Sequence, residues 1–269
     1  MSFFQSLLRL MDTQAAIPSL YGWYHWLWLG IVVVCSVLLC RLHDKKPHMQ
    51  PWKVVFSVAV LVTILELYKQ INYSFSYENG ITFSYQWYAF PFQFCSTPMY
   101  VGLLAGLFRK GKISDALMAY LATFSVFAGV CVMLYPGDVF TGTVGINIQT
   151  MICHGSMIVV GVYLLHCGRV KLAHKTVLKA MVVFAVCVTA AMIMNELAYQ
   201  SGLLETHNFN MFFISPYCPP SLPVYSWVQG VVPFPWCLII YISAFTLAAY
   251  LMLLIAMGVK ATAKAKQTV

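Results

Sequence analysis

The sequence predicts an all-α membrane protein: a bundle of seven transmembrane helices behind a short interfacial helix. Three observations predict it. The 269 residues are 61% apolar and only 9% charged, against about 25% charged in a soluble domain. Runs of about 20 apolar residues, each long enough to cross a bilayer as a helix, recur from Tyr24 onward. The basic residues cluster between those runs, on alternate connections.

At the N-terminus, Phe3, Phe4, Leu7, Leu8 and Met11 recur at helical spacing, as in a helix lying in the membrane interface. Residues 1–23 form this first segment. It lacks the basic start, long apolar centre and small-residue cleavage site of a secretory signal. Seven spans are expected near 24–42, 52–72, 91–108, 113–135, 148–167, 177–199 and 235–257. They make one transmembrane domain over 24–257, followed by a basic tail over 258–269.

Orientation follows from charge. One side collects Arg41, Lys45, Lys46 and Lys53, then Arg109, Lys110 and Lys112. It also collects Arg169, Lys171, Lys175 and Lys179, and finally Lys260, Lys264 and Lys266. The other side has only Arg9 and Lys69. This bias places the N-terminus outside and the C-terminus inside a cell membrane. The outer connections 74–88 and 200–232 are long and aromatic. Pro216, Pro219, Pro220, Pro223 and Pro233 stand in or beside the second. Lid and passive cap are both open readings for them.

The net charge of +8 suits loops that meet anionic lipid head groups and does not indicate nucleic acid. The nine cysteines fall mostly inside spans and make no disulfide framework. No close Cys/His spacing suggests zinc, and neither a metal nor another cofactor is expected. Membrane lipids are the expected partners.

Polar residues inside spans mark a site or pair with one another. Here they gather in the outer half. The second span supplies Glu66 and Asn72, and the third supplies Cys95. The fifth supplies His154 beneath Asn147, Gln149 and Thr150, and the sixth supplies Asn195 and Glu196. Cys95 and His154 carry reaction chemistry. A thiolate is a strong nucleophile, and an imidazole can take its proton and later protonate a leaving group. Glu66 or Glu196 could orient the imidazole. Pro98, read as lying inside the third helix, would bend it and free the Phe94 carbonyl. Cys95 also reads as a small buried apolar residue, and His154 as a bond to a neighbouring helix. Cys153 is set aside, because neighbours on a helix do not face the same way. His166 and His174 read as solvated. His25 joins Trp23, Trp26 and Trp28 in an interfacial belt. Gly102 and Gly106 share a stripe with Cys95 that suits close helix packing.

Several of these residues resemble a known family. FPFQFC at 90–95, MICHGSMIVVGVYLL at 151–165, HNFNMFF at 207–213 and PFPWCLIIYI at 233–242 are similar to YwaF-type bacterial membrane proteins and to animal transmembrane protein 164. Family members often read Leu-Pro-Leu-His-Leu-Cys where this chain has Phe90–Cys95, so Gln93 stands in place of a histidine. Asn208 and Met211 fit an outer Asn-Tyr-Met motif loosely. The resemblance implies an acyltransferase that places fatty acyl groups on ether lysophospholipids, with its cysteine at Cys95 and its histidine at His154.

The expected function is therefore transfer or hydrolysis of a phospholipid acyl group through a thioester, with Gln93 and Asn195 as candidate oxyanion donors and Gln149 and Asn208 among the supporting residues. Two other readings stay open. One is a transporter or binder with Glu66, Asn195 and Glu196 in an outer vestibule. The other is a structural subunit whose polar layer only locks helices together.

Overall fold

Long apolar runs free of interior glycine clusters and proline form helices wherever the surroundings cannot hydrogen-bond the backbone. The computed structural model describes residues 3–78, 80–203, 208–218 and 222–267, and it is helical nearly throughout. In chain order the helices are α1 (Phe3–Met11), α2 (Trp23–Lys45), α3 (Pro51–Ser74), α4 (Thr97–Leu107), α5 (Gly111–Leu121), α6 (Phe124–Leu134), α7 (Val144–His166), α8 (Lys175–Gln200), α9 (Pro223–Val231) and α10 (Trp236–Gln267). A two-residue hairpin pairs Phe75 with Phe83 and Ser76 with Thr82. The expected loop positions His207, Pro219 and Pro220, and Ser2 ahead of α1, lie outside the described residues.

Six segments are long and apolar enough to cross a membrane: α2, α3, the α5–α6 pair, α7, α8 and α10. The chain is a multi-pass membrane protein. The remaining expected span, 91–108, is helical only over Thr97–Leu107. At about 1.5 Å per residue that is about 16 Å, half the hydrocarbon thickness. The reason is local. Pro98 sits in the first turn of α4, where a missing N–H costs nothing, so it starts the helix instead of bending it. The Phe94 carbonyl is not stranded either, since the Thr97 hydroxyl donates to it at 2.9 Å.

The fourth expected span, 113–135, also departs from expectation. It is two helices, broken at Ala122 and Thr123, where Thr123 leaves helical geometry (φ −131°, ψ −78°). The Thr123 hydroxyl donates back to the Ala119 carbonyl at 2.7 Å. A broken helix is tolerated at membrane depth only inside protein, and most of this segment is buried.

Burial sorts the helices. The α5–α6 pair and α7 are the most buried of these segments, at 72% and 61%, and α2 at 11% is peripheral. Helix α7 packs on α2, α3, α5 and α6, while α4 wedges between α3 and α5 and α8 covers α5. Helix α10 closes the bundle against α6 and α8. Close approach depends on missing side chains. A Cβ at Gly102 would lie 2.8 Å from that of Ala59, and one at Gly106 would overlap the Phe56 ring. The small-residue stripe of α4 therefore packs on α3, as its spacing predicts. Helix α1 lies beside α3, where the Tyr68 hydroxyl donates to the Met11 carbonyl at 2.6 Å. Leu8 of α1 is buried, while Phe3 and Leu10 remain exposed.

Candidate active site

Cys95 does not sit on a helix. It lies in the turn that precedes α4, where the amides of Ser96 and Thr97 both donate to the Gln93 carbonyl, at 2.8 and 3.1 Å. That turn is clamped from outside. The Gln93 side chain donates to the Asn210 carbonyl at 2.9 Å and accepts from the Phe212 amide at 2.8 Å. Asn195 does the same one residue along, donating to the Met211 carbonyl at 3.0 Å and accepting from its amide at 2.7 Å. Asn210 accepts from the Ser215 amide at 2.9 Å. Together they hold Phe212 and Phe213 at φ 58° and 57°, a left-handed conformation that costs about 1–3 kcal/mol per non-glycine residue.

Gln93 and Asn195 thus each bind backbone through both ends of the amide. Their role is to seat the 210–215 loop over the Cys95 turn. Replacing Asn195 by alanine strands a buried N–H and a buried carbonyl on Met211. A loss of about 1–3 kcal/mol is expected, together with faster proteolysis between α8 and α9.

Two cavities meet at Cys95. The smaller, about 30 Å³, is bounded by Cys95, Ser125, Cys153 and Ser156 with apolar residues of α3 and α4. The larger, about 410 Å³, runs from Gln93, Phe94 and Cys95 between α6, α9 and α10, past Phe127, Tyr241 and Phe245. Its walls are almost wholly apolar. The Phe94 ring packs edge-on against Phe245 at 4.9 Å and against Phe184 at 5.6 Å, which fixes the wall beside the thiol.

His154 is buried in α7. Its Nδ1 lies 2.8 Å from the Thr150 carbonyl. A carbonyl only accepts, so Nδ1 carries the proton and Nε2 is left with a bare lone pair. Nε2 is buried and, among the described residues, has no hydrogen-bond partner. The contrast with His25 is instructive. His25 is also fully buried, but its Nδ1 accepts from the Tyr21 amide at 3.1 Å and its Nε2 donates to the Met133 carbonyl at 2.8 Å. His25 is a saturated structural tether. Glycine brings α6 against the His154 backbone: a Cβ at Gly129 would lie 2.7 Å from the His154 carbonyl oxygen.

The α7 residues on the small cavity are Cys153, Ser156, Met157 and Val160. His154 stands one step round the helix from that wall. Among the described residues no hydrogen bond joins it to Cys95.

Glu66 is buried and forms an ion pair with Lys69 at 2.8 Å. It also accepts from Gln70 at 2.8 Å and from Gln149 at 3.5 Å. Gln149 in turn donates to the Cys153 sulfur at 3.4 Å. Glu66 is therefore joined to Cys153 through Gln149, and not to His154. Glu196 is exposed and accepts from Gln200 at 2.8 Å and from the Tyr217 hydroxyl at 2.6 Å. The carboxylate beside it raises the Tyr217 phenol above its usual range. Asn72 is half-buried near the end of α3, and Asn208 is exposed.

Helical spacing alone missed Cys153, Lys69 and Asn210. Cys153 and Gln149 stand four apart in the chain, the one signal that pointed to their contact. His166 bonds Asp44 at 2.8 Å and His174 bonds the Tyr250 hydroxyl at 2.6 Å, both at the surface.

No curated protein and no solved structure matches this chain. A family model does, over residues 20–254, which takes in every helix from α2 to α9, the Cys95 turn and His154. The chain belongs to the TMEM164 family.

Proposed function

We propose that this protein is a cell-membrane enzyme that moves a fatty acyl group from a phospholipid through a thioester on Cys95, with His154 as the base. The observation that carries the reading is the bare, buried Nε2 of His154, held in the basic tautomer by Thr150. A saturated histidine such as His25 has no lone pair to offer. The 410 Å³ apolar cavity that opens on Cys95 suits an acyl chain, because burying methylenes is favourable by about 0.8 kcal/mol each.

In the proposed reaction the Cys95 thiol gives its proton to His154 Nε2 and the sulfur attacks the ester carbonyl. The carbon–oxygen bond breaks, and the imidazolium protonates the departing lysolipid oxygen. An acceptor hydroxyl, from another lysolipid or from water, then gives its proton to His154 and attacks the thioester. The new ester or free acid leaves, and the proton returns to sulfur. The ring must turn toward the sulfur for this, and such contacts commonly tighten only when substrate binds. In this reading α4 is a short seventh crossing, completed by the Cys95 turn, with the N-terminus outside. The charge asymmetry supports that orientation.

The test is covalent capture. Purified protein is incubated with phosphatidylcholine bearing an alkyne-tagged acyl chain, and hydroxylamine-sensitive label is read on the chain. Wild type is expected to label and Cys95→Ser to remain blank, while Cys153→Ser labels normally. Label that survives Cys95→Ser, or that is lost only in Cys153→Ser, overturns the assignment.

A further inference from the structure

At the basic end of the bundle, the turn after α7 and the Met257–Ala261 stretch of α10 border an open groove of about 470 Å³ that shares no residue with the cavities at Cys95. We propose that it binds the phosphate head group of an anionic membrane phospholipid. Its walls are of two kinds. Leu165, Val170, Leu172 and Met257 give it an apolar side, and Lys171 and Lys260 give it two ammonium groups.

The two lysines matter because the carboxylates of this face are already engaged. By sequence, the face carries fourteen basic residues and only Asp44 and Asp115 as acids. Asp44 is held by His166 at 2.8 Å, and Asp115 by Arg169 at 2.8 Å and by Lys179 at 3.1 Å. Among the described residues neither Lys171 nor Lys260 has an acidic partner, and both are exposed. His174, the titratable neighbour in the same turn, is bonded to the Tyr250 hydroxyl. Gly168, with φ +73° and open space where a Cβ would stand, leaves the rim low.

An amphiphile matches this pattern better than a free anion does. A phosphate held by these lysines would leave the glycerol and first methylenes beside the apolar residues of the same groove, Leu165 and Met257 among them, whereas inorganic phosphate would use the lysines alone. Basic pockets at helix ends on the positive side of a membrane protein are suited to such head groups.

The experiment uses the full chain in mild detergent and reads binding of phosphatidylglycerol by native mass spectrometry, with phosphatidylcholine and inorganic phosphate as separate arms. The charge-reversed pair Lys171→Glu with Lys260→Glu is expected to weaken phosphatidylglycerol binding by at least about 10-fold. Lys171→Arg with Lys260→Arg should keep it. Lys110→Glu with Lys112→Glu, the same charge change on the same face, should leave it nearly unchanged. Equal loss in that control pair, equal retention of phosphatidylcholine, or full displacement by inorganic phosphate at matched concentration would overturn the proposal. Circular dichroism of each variant separates lost binding from lost fold, and if the glutamate pair unfolds, Lys171→Gln with Lys260→Gln carries the same test.

Discussion

Replacing His154 by alanine is expected to slow acyl-enzyme formation by about 10²–10⁴-fold, the usual contribution of a positioned general base. The argument rests on which nitrogen is bare. Nδ1 is committed to the Thr150 carbonyl, so only Nε2 can receive a proton, and among the described residues no hydrogen-bond partner competes for it. A purely structural histidine predicts a different pattern. His25 ties α2 to α6 through Met133, so His25→Ala should lower the unfolding midpoint and reduce labelling only in proportion to lost fold. His154→Ala should leave most folded protein intact, because the hydrogen bond it removes among the described residues is to its own helix. Rates of acyl-enzyme capture, normalised to folded protein by size-exclusion profile, separate the two. Equal normalised rates for His154→Ala and wild type would remove the base from the mechanism.

The second large effect is on stability. Lys69→Met leaves the Glu66 carboxylate buried among Gln70 and Gln149 without its cation. Breaking one side of a buried pair costs about 3–5 kcal/mol, and the low end applies because Lys69 keeps 18% of its side chain exposed. Glu66→Gln combined with Lys69→Met removes the charge as well, and most of the loss should return. The measurement is the thermal unfolding midpoint of the three variants in one detergent. If the double variant is no more stable than Lys69→Met alone, the ion pair is not what holds this part of the bundle.

These two predictions show where the chain was readable and where it was not. Lys69 was legible in the sequence only as one of two basic residues on the sparse side. Its ion pair with Glu66 is an i, i+3 contact on α3, which spacing alone permits. What spacing could not say is that Gln149, 83 positions away, would reach the same carboxylate. Gln93 and Asn195 read as candidate oxyanion donors. The fold turns both onto the backbone of one loop, because a buried loop must find partners for its N–H and carbonyl groups. Pro98 read as a kink because the hydrophobic run continues through it, yet the helix begins there.

The amino-acid sequence by itself determined that this is an all-helical membrane protein, where most of its helices run and that α4 packs through glycines. Those properties follow from periodicity, hydropathy and side-chain size, which are local. Only the tertiary structure decided that the third hydrophobic run opens as a turn at Cys95, that Cys153 shares a cavity wall with it and that His154 keeps one nitrogen bare. Each depends on which side chains from distant positions arrive at the same depth, and a burial or a missing partner is a property of that arrival and not of any stretch of chain.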